Sequence, residues 1–442
     1  MASDASNGTT GLAPWQRRIF AANFLGLTFE AYDLTIYSLL VVPIAQHFQV
    51  PTWYSFAVLG MTYVARGLGG LIFGHIGDKI GRRNALVFTV LGYSITTALT
   101  GLSWSLASLL LWRGLTGLFI GGEYVAYSYT METVPKQRRG VYAGFLVGSY
   151  SIGFLLAAAS FSIVSSLTGA QFVGNGWRWP FFVGILPALI ALWLRLGVEE
   201  SPAWLAAAAR NRARPRVPLF EIFKRPYLGR TLHSWLLMAA LIWSYDVLIL
   251  AFPTMLTQMD FPRESVGTLS IILNVGSLLG SIAGGTVSQI VGRRPALIGI
   301  AILGIVTTPL IAPFWLLPTI PGYGYFAAAG FIGAIFAEAG FGIMPAYLAE
   351  RYPTEVRATG STGTYNLGQI IAGWSTALLA RQFGGSAGSF TNGMAIHGVV
   401  AFLVLIVLVF FGPETRDVDL AADETAPGQQ PRVVPATAPT QS

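Results

Sequence analysis

The sequence predicts an all-α membrane protein whose twelve transmembrane helices form two pseudo-symmetric six-helix bundles. Three observations support this prediction: an apolar composition, twelve apolar runs of helical length, and an internal repeat. Of the 442 residues, 53% are hydrophobic and 11% are charged, whereas a soluble domain carries about 25% charged residues. Because so few charges cannot cover a water-exposed surface, soluble domains and nucleic-acid binders are poor fits, and we expect no nucleic-acid partner.

Twelve stretches are long and apolar enough to cross a bilayer, which takes about 20 residues each. We number them spans 1 to 12 and place them near residues 18–43, 53–75, 84–103, 106–130, 141–163, 179–198, 231–257, 265–290, 296–315, 323–348, 358–382 and 393–412. The chain then divides into a polar N-terminus, an N-terminal bundle, a basic linker, a C-terminal bundle and a tail predicted to be disordered, at residues 1–17, 18–198, 199–230, 231–412 and 413–442.

The distribution of Lys and Arg sets the expected orientation. Basic residues collect in the segments that face the cytoplasm when both termini are inside; the exceptions are Arg178, Arg263 and Arg381 outside, and Arg66 and Arg113 within spans. Cytoplasmic loops carry an excess of Lys and Arg. We therefore expect an inner (plasma) membrane protein with cytoplasmic termini and lipid headgroups around the linker. We also expect a monomer.

An internal repeat relates the two bundles. The segment 74–83 after span 2 and the segment 285–294 after span 8 share four of ten residues, and a Glu, a Pro and an Arg after span 4 recur with the same spacing after span 10. Two matches at corresponding places indicate a duplicated six-helix unit with both copies in one orientation. Repeated halves that meet at a site in mid-membrane are typical of alternating-access transporters.

The segment 74–83 reads Gly-x-x-x-Asp-Lys-x-Gly-Arg-Arg, which resembles the loop between spans 2 and 3 of the major facilitator superfamily. Finer features resemble the metabolite:proton symporters, with the sialate, monocarboxylate and aromatic-acid proton symporters next; they lie at residues 30–33, 66–70, 113–124, 200–205 and 413–416. Three positions depart from the subfamily pattern: Gly67 replaces a proline, Ala31 an aromatic residue or glycine, and Ala203 an arginine. The resemblance implies a transporter rather than an enzyme.

Glu30, Asp33 and Arg113 are the first candidates for proton coupling. Glu30 and Asp33 are three residues apart in span 1 and so share one helix face. Two carboxylates that lie close together raise each other's proton affinity, and removal from water raises it as well. The resemblance to proton-coupled symporters implies that Asp33 pairs with Arg113 of span 4, so that protonation of Asp33 frees Arg113. The alternative is a permanent structural ion pair.

Three further ionisable residues lie within spans, where a charge costs several kcal/mol unless it is paired or hydrated. Arg66 lies 12 residues before Asp78, or about 18 Å along its helix; it could hold a substrate carboxylate, or pair with Glu123 or another acid of its half. Asp246 in span 7 could carry a proton or bind a substrate amine. Glu338 in span 10 is a similar candidate.

Neutral residues complete the substrate-binding candidates, and loop residues form a candidate cytoplasmic gate. The neutral candidates are Tyr37, Asn274, Tyr365, Asn366 and Gln369. The gate candidates, which the resemblance supports as a latch, are Gly74, Asp78, Gly81, Arg82, Arg83, Glu132 and Arg139. Asp78 can face a helix N-terminus and Arg82 can bridge to an acid. Gln289 replaces the aspartate in the second copy, so we expect an asymmetric latch.

The chain lacks the motif of an ATP-driven pump. None of its three lysines follows a glycine, which excludes a Walker A loop, and no HExxH metal motif occurs. We therefore expect no cofactor or metal, and a proton gradient as the energy source. The leading hypothesis is a proton-coupled importer of a small organic acid or zwitterion. The alternatives are a proton-driven exporter of cationic or amphipathic compounds, an uncoupled sugar facilitator, and a membrane sensor.

Overall fold

The computed structural model describes residues 12–210, 218–313, 320–372, 374–384 and 386–420. Spans 1, 2, 3, 5, 8, 9 and 12 are each one helix, at Pro14–His47, Thr52–Ile80, Arg82–Gly101, Arg139–Thr168, Arg263–Val291, Arg293–Ile311 and Ala387–Phe410. The remaining spans are each built from two or more helical pieces. Their bounds are Leu106–Gly121, Gly122–Tyr124 and Val125–Thr133 (span 4), Trp179–Val183 and Ile185–Leu196 (span 6), Leu228–Tyr245, Asp246–Leu250 and Phe252–Gln258 (span 7), Tyr323–Ala339 and Met344–Glu350 (span 10), and Arg357–Ala372 and Ser375–Phe383 (span 11).

Each of the twelve predicted spans thus coincides with a helical segment. Eight segments of the described ranges are long and apolar enough to cross a membrane on length and composition alone. Spans 3, 4, 6 and 11 are not among these eight. In span 4 the break is a short 3-10 piece, and in span 7 it is a π-helical turn. Such irregular turns often mark functional positions.

The two bundles repeat the same helix packing. In the N-terminal bundle the most extensively packed pairs are spans 1 and 5, 1 and 6, 2 and 4, 3 and 4, and 3 and 6, and in the C-terminal bundle they are spans 7 and 11, 7 and 12, 8 and 10, 9 and 10, and 9 and 12. Every pair in the second set is a pair of the first set advanced by six spans. This correspondence is what a duplicated six-helix unit produces.

Glycines let the equivalent helices approach closely, as is common in membrane interiors. A side chain at Gly69 or Gly117 would collide with the backbone of the partner helix in the pair of spans 2 and 4. A side chain at Gly280 or Gly284 would likewise collide with the backbone of the partner helix in the pair of spans 8 and 10. Larger residues at these positions would push the paired helices apart.

The two bundles meet through spans 2 and 11 and through spans 5 and 8. A Cβ atom at Gly74 would lie 2.8 Å from Cα of Thr359 in span 11, so the helices touch here by their backbones. Gly140 of span 5 faces Gly285 of span 8 in the same way. These contacts lie at the end of the molecule that carries the loops between spans 2 and 3 and between spans 8 and 9, which we call the latch end.

Two predicted boundaries differ from the structure. Residues 413–420 belong to the ordered fold rather than to a disordered tail, because Glu414 accepts hydrogen bonds from backbone N–H groups and Val418 and Leu420 are buried. The disorder predicted for 421–442 lies outside the described residues. In the linker, Pro202–Arg210 and Pro218–Glu221 are helical; both are too short for an apolar periodicity to be recognised in the sequence.

Candidate functional site

Glu30 and Arg66 form a buried ion pair in the N-terminal bundle. The Nη2 atom of Arg66 lies 2.6 Å from Oε1 of Glu30, and both side chains are buried. The same nitrogen donates to the hydroxyls of Tyr150, at 2.7 Å, and of Tyr124. The Tyr150 hydroxyl also donates to Glu30. Oε2 of Glu30 and Nε of Arg66 have no partner among the described residues. The carboxylate oxygen can therefore still accept a hydrogen bond or a proton, and the Nε–H group of Arg66 can still donate to a ligand.

The sequence left open whether Arg66 pairs with Glu123, and the structure assigns Glu123 a different partner. Nη2 and Nη1 of Arg195 lie 2.6 and 2.9 Å from the two carboxylate oxygens of Glu123. The hydroxyl of Thr89 donates to the same carboxylate at 2.5 Å. Arg195 is 1% exposed. The role of Arg195 could not be predicted from the sequence, because the residue lies in the last turn of span 6, where the positive-inside rule explains an arginine without any partner.

We expect the pair of Glu123 and Arg195 to stabilise the N-terminal bundle rather than to bind substrate. Replacing one member leaves a buried charge without a partner, which costs about 3–5 kcal/mol in proteins. Arg195→Leu should therefore lower the melting temperature of the purified protein by several degrees, as measured by size-exclusion chromatography after heating. The double variant Glu123→Leu with Arg195→Leu should recover most of the loss; a double variant as unstable as the single one would contradict a paired role.

Asp33 and Arg113 form a second buried ion pair, as the resemblance implies. Nη1 of Arg113 lies 2.7 Å from Oδ2 of Asp33, and the hydroxyl of Thr97 donates to Oδ1 at 2.7 Å. The guanidinium of Arg113 lies over the ring of Tyr37, at 4.6 Å from its centroid, and the Tyr37 hydroxyl donates to the carbonyl of Ser55 at 3.2 Å. Nε and Nη2 of Arg113 have no described partner. Tyr37 thus orients Arg113 by its ring face and has its own hydroxyl satisfied.

Asp246 and Glu338, the two acid candidates of the C-terminal bundle, form no ion pair with any described residue. Asp246 is 6% exposed and begins the π-helical turn of span 7; within the described ranges its hydrogen-bond partner is the Ser375 hydroxyl, at 3.2 Å. Glu338 is 9% exposed, and the described part of the chain offers it no ion pair. Among the described residues, the acids within span 1 are thus paired with arginines, whereas Asp246 and Glu338 are not.

Tyrosines join the two halves at the centre. The ring of Tyr365 in span 11 packs on the ring of Tyr124 in span 4, with centroids 4.3 Å apart, and Tyr127 lies 5.7 Å from Tyr365. The guanidinium of Arg66 lies 4.8 Å from the Tyr124 centroid. Tyr63 interacts electrostatically with Arg66 from its own half and with Asp246 from the other. The ring of Tyr124 thus contacts both Arg66 of its own half and Tyr365 of the other half.

The three amide candidates do not gather into one polar site. Asn274 donates to the carbonyl of Ser270 in its own helix at 2.9 Å. Asn366 is buried and donates across the halves to the carbonyl of Gly121 at 3.2 Å. Oδ1 of Asn366 and Oε1 of Gln369 lack described partners. The structure therefore places Asn366 at the interface of the halves, whereas the hydrogen bond of Asn274 stays within its own helix.

Asp78 connects the two halves at the latch end. Its carboxylate accepts hydrogen bonds from the backbone N–H groups of Ala358, at 3.0 Å, and Thr359, at 2.8 Å, and from the Thr359 hydroxyl at 2.6 Å. These groups are the first residues of span 11, where the helix dipole favours an anion. Arg82 holds the other side of the carboxylate at 2.7 Å.

Arg82 and Glu132 extend this connection. Nη2 of Arg82 lies 2.9 Å from Oε1 of Glu132, and the same nitrogen donates to the carbonyl of Thr354 at 2.9 Å. Glu132 also pairs with Arg357 of span 11, at 3.0 Å. We call Asp78, Arg82, Glu132 and Arg357 the latch; the first three belong to the N-terminal half and Arg357 to the C-terminal half, and all four side chains are buried.

The turn before span 3 positions Arg82 and Arg83. Gly81 has φ of 106°, a conformation that glycine adopts without strain. The Glu200 carboxylate accepts from the backbone N–H groups of Arg82, Arg83 and Ser201 at 2.9, 3.1 and 2.8 Å. Burial raises the pKa of Glu200, whereas these hydrogen bonds and the charge of Arg82 act in the opposite direction. Arg83 points away from the latch and donates to the carbonyl of Leu196 at 2.7 Å.

The second copy repeats this turn. Gly292 has φ of 107°, and the Glu414 carboxylate accepts from the N–H groups of Arg293 and Arg294 at 2.9 and 3.0 Å. Arg293 pairs with Glu350 at 3.0 Å. The ordered first residues of the C-terminal segment thus replace the linker as the source of the capping carboxylate.

The two copies differ where Gln289 replaces the aspartate. Gln289 makes two hydrogen bonds to the other half, accepting from the N–H group of Gly140 at 2.8 Å and donating to the carbonyl of Lys136 at 3.2 Å, whereas Asp78 accepts three from span 11. Arg139 does not join the latch; it donates to the carbonyls of Met131 and Val418 at 3.0 and 2.9 Å. The interface of spans 5 and 8 is therefore held by a neutral contact and that of spans 2 and 11 by charges.

Comparisons with known proteins agree with this architecture. Residues 19–218 match the family model described as "Sugar (and other) transporter", and residues 235–437 match the model described as "Major Facilitator Superfamily". A sialic acid transporter of Escherichia coli is 27% identical over 90% of this chain and 94% of its own length. A probable 4-methylmuconolactone transporter of Cupriavidus pinatubonensis is 27% identical over 92% of each chain. The solved structure of a proton:xylose symporter is 18% identical, with a TM-score of 0.72 over 91% of this chain and 96% of that one.

Proposed function

The chain belongs to the major facilitator superfamily, and we propose that it is a proton-coupled symporter that imports a small organic acid or zwitterionic metabolite by alternating access. Its family and its relatives make it a transporter of small metabolites and a multi-pass protein of the inner membrane, not an enzyme. The relatives named for sialic acid and for a muconolactone favour an acidic or oxygen-rich substrate. The buried charges of spans 1, 2 and 4 support proton coupling.

The observation that carries the proposal is the pair of buried carboxylate–arginine contacts, Glu30 with Arg66 and Asp33 with Arg113. Each arginine keeps guanidinium atoms without a described partner. When the carboxylate accepts a proton, the arginine loses its counterion, and an anionic substrate can restore the balance by a charge-assisted contact. The proton and the substrate carboxylate are then transported together, because protonation of the buried carboxylate frees the arginine that the substrate carboxylate contacts.

Arg66 is the better placed of the two arginines for a substrate carboxylate. Tyr124 packs both on Arg66 and on Tyr365 of the other half, so a ligand on Arg66 reaches both bundles. Arg113 contacts Asp33 and Tyr37, which both belong to its own half. We therefore assign Asp33 and Arg113 to proton coupling and Arg66 to substrate binding, with Glu30 as the group that the substrate displaces.

The latch controls the conformational change of the transport cycle. With both termini in the cytoplasm, the latch end is the cytoplasmic side, and the structure is closed there by contacts of spans 2 and 4 with span 11. The substrate would therefore enter from the opposite side. Release to the cytoplasm requires Asp78 and Glu132 to part from span 11, after which the halves can rock about the central site.

Uptake by the purified protein in proteoliposomes tests the proposal. The probes are labelled monocarboxylates, dicarboxylates, aromatic acids, amino acids and betaines, each offered with and without an inward proton gradient. With one proton per substrate, a gradient of one pH unit should support up to about tenfold accumulation, and a protonophore should abolish it. The proposal is wrong if uptake of every carboxylate ignores the imposed gradient.

A further inference from the structure

We propose that residues 417–420 form a strap that keeps the latch end closed beside spans 5 and 8. The segment follows span 12 and so belongs to the C-terminal half, but its own contacts reach the N-terminal half. The latch end can therefore open only when the strap leaves the N-terminal half. The proposal assumes that the halves part at the latch end during transport, and it holds for any substrate.

The strap is anchored on the C-terminal half by the three residues that precede it. The carboxylate of Glu414 accepts hydrogen bonds from the backbone N–H groups that begin span 9. The hydroxyl of Thr415 donates to the carboxylate of Glu350, at the end of span 10, at 2.8 Å. Arg416 donates to the carbonyl of Ile290 in span 8 at 2.7 Å. These contacts fix the start of the strap to spans 8, 9 and 10.

The strap itself is docked on the N-terminal half. Nη1 of Arg139, the first residue of span 5, donates to the carbonyl of Val418 at 2.9 Å. Nζ of Lys136 donates to the carbonyl of Asp417 and lies 3.8 Å from its carboxylate. Val418 is 5% exposed and Leu420 is 4% exposed. The strap therefore crosses from one half to the other with its apolar side chains buried.

The contact with Arg139 and the burial of apolar side chains hold the strap, whereas the ion pair adds little. The side chains of Lys136 and Asp417 are 30% and 45% exposed, and exposed ion pairs contribute little to stability. Arg139 is 5% exposed, and a hydrogen bond from a charged group away from water is stronger than a neutral one. Burial of Val418 and Leu420 adds the hydrophobic effect.

The internal repeat shows that the strap replaces a contact of the first copy. In the repeat, Glu350 corresponds to Glu132 and Arg139 to Arg357. Arg357 pairs with Glu132 across the halves at 3.0 Å. In the second copy Glu350 pairs with an arginine of its own half, and Arg139 donates to Val418 instead. A carbonyl of the strap thus takes the place of a side-chain carboxylate from the other half.

The linker offers a comparison, because it is the counterpart of the strap in the first copy. Glu200 caps span 3 as Glu414 caps span 9, so Trp204 corresponds to Val418. The indole of Trp204 donates to the carbonyl of Asp78 at 2.9 Å, and both residues belong to the N-terminal half. At this position the linker binds its own half, whereas the strap binds the other one.

Cysteine labelling of the full-length purified protein tests the strap without any substrate. Ser281 of span 8 is buried, and its Oγ lies 3.2 Å from where a Cβ atom at Gly148 of span 5 would be, so Ser281→Cys reports separation of these spans. In this background Val418→Lys should raise the rate of maleimide labelling about tenfold, because it places a cation beside Arg139 and undocks the strap. Val418→Ile should leave the rate unchanged, as should Asn84→Lys, which adds a cation at an exposed residue.

A second reporter separates opening of the latch end from unfolding. Ala301 of span 9 is fully buried within the C-terminal bundle, so Ala301→Cys should be labelled at the same rate with and without Val418→Lys. Leu420→Lys should reproduce the effect of Val418→Lys at Ser281→Cys. The strap is wrong if both lysine variants leave labelling at Ser281→Cys unchanged, or if they raise labelling equally at the two reporters. The proposed function would stand after either result, since neither reporter measures substrate or protons.

Discussion

Asp33→Asn should abolish uphill accumulation of substrate and leave exchange of substrate across the membrane intact. The variant keeps a side chain of nearly the same shape that can still bond to Thr97, but it removes the charge that holds Arg113 at 2.7 Å. A carrier whose coupling group cannot take up a proton can no longer use the proton gradient. In proteoliposomes with a gradient of one pH unit, accumulation should fall from up to about tenfold to simple equilibration.

Retained exchange is the internal control in this experiment, because a misfolded variant would lose exchange as well. Thr97→Val serves as a matched variant: it removes the hydrogen bond of 2.7 Å to Asp33 but leaves the ion pair, so accumulation should persist. Normal pH-driven uptake by Asp33→Asn would remove Asp33 from the mechanism.

Asp78→Asn should open the latch end. The carboxylate accepts three hydrogen bonds from the start of span 11 and pairs with Arg82. Hydrogen bonds to a charged group contribute about 1.5–3 kcal/mol each, so removing the charge should shift the equilibrium toward the open form by tenfold or more. The variant should therefore expose residues that lie between the halves.

Cysteine labelling can measure this opening because the chain contains no cysteine. Ser361 of span 11 is buried and shares a hydrogen bond of 2.6 Å with Ser128 of span 4 across the halves. In a Ser361→Cys background, Asp78→Asn should raise the rate of maleimide labelling about tenfold. Glu199→Gln is the matched control, since its side chain is exposed at the same end. Equal labelling rates in the two variants would contradict the latch.

The fold could be predicted from the sequence because its determinants are local or repeated. Apolar runs of helical length mark the spans, and the recurrence of Gly81-Arg82-Arg83 as Gly292-Arg293-Arg294 marks the duplication. The structure gives both turns a glycine with positive φ and a capping carboxylate. The caps themselves, Glu200 and Glu414, lie more than a hundred residues away along the chain, and only the packing of the bundles brings them there.

The site was predicted in part. Glu30, Asp33, Arg66 and Arg113 were predicted as site residues because they are ionisable and lie within spans. The resemblance implied the pairing of Asp33 with Arg113. Spacing along one helix shows which side chains share a face, but it does not show which face of another helix they meet. The pairing of Arg66 with Glu30, and of Arg195 with Glu123, depends on how spans 1, 2, 4 and 6 pack together, so the sequence left it open.

The central claim is that the buried carboxylates move a proton with each substrate molecule. The most direct test follows the pH inside proteoliposomes with an entrapped dye when a carboxylate that stabilises the purified protein is added outside, with no gradient imposed and protein-free liposomes as the blank. The account predicts acidification of the lumen in step with substrate entry for the natural sequence, and none for Asp33→Asn. Substrate entry through the natural sequence without any change of lumenal pH would contradict it.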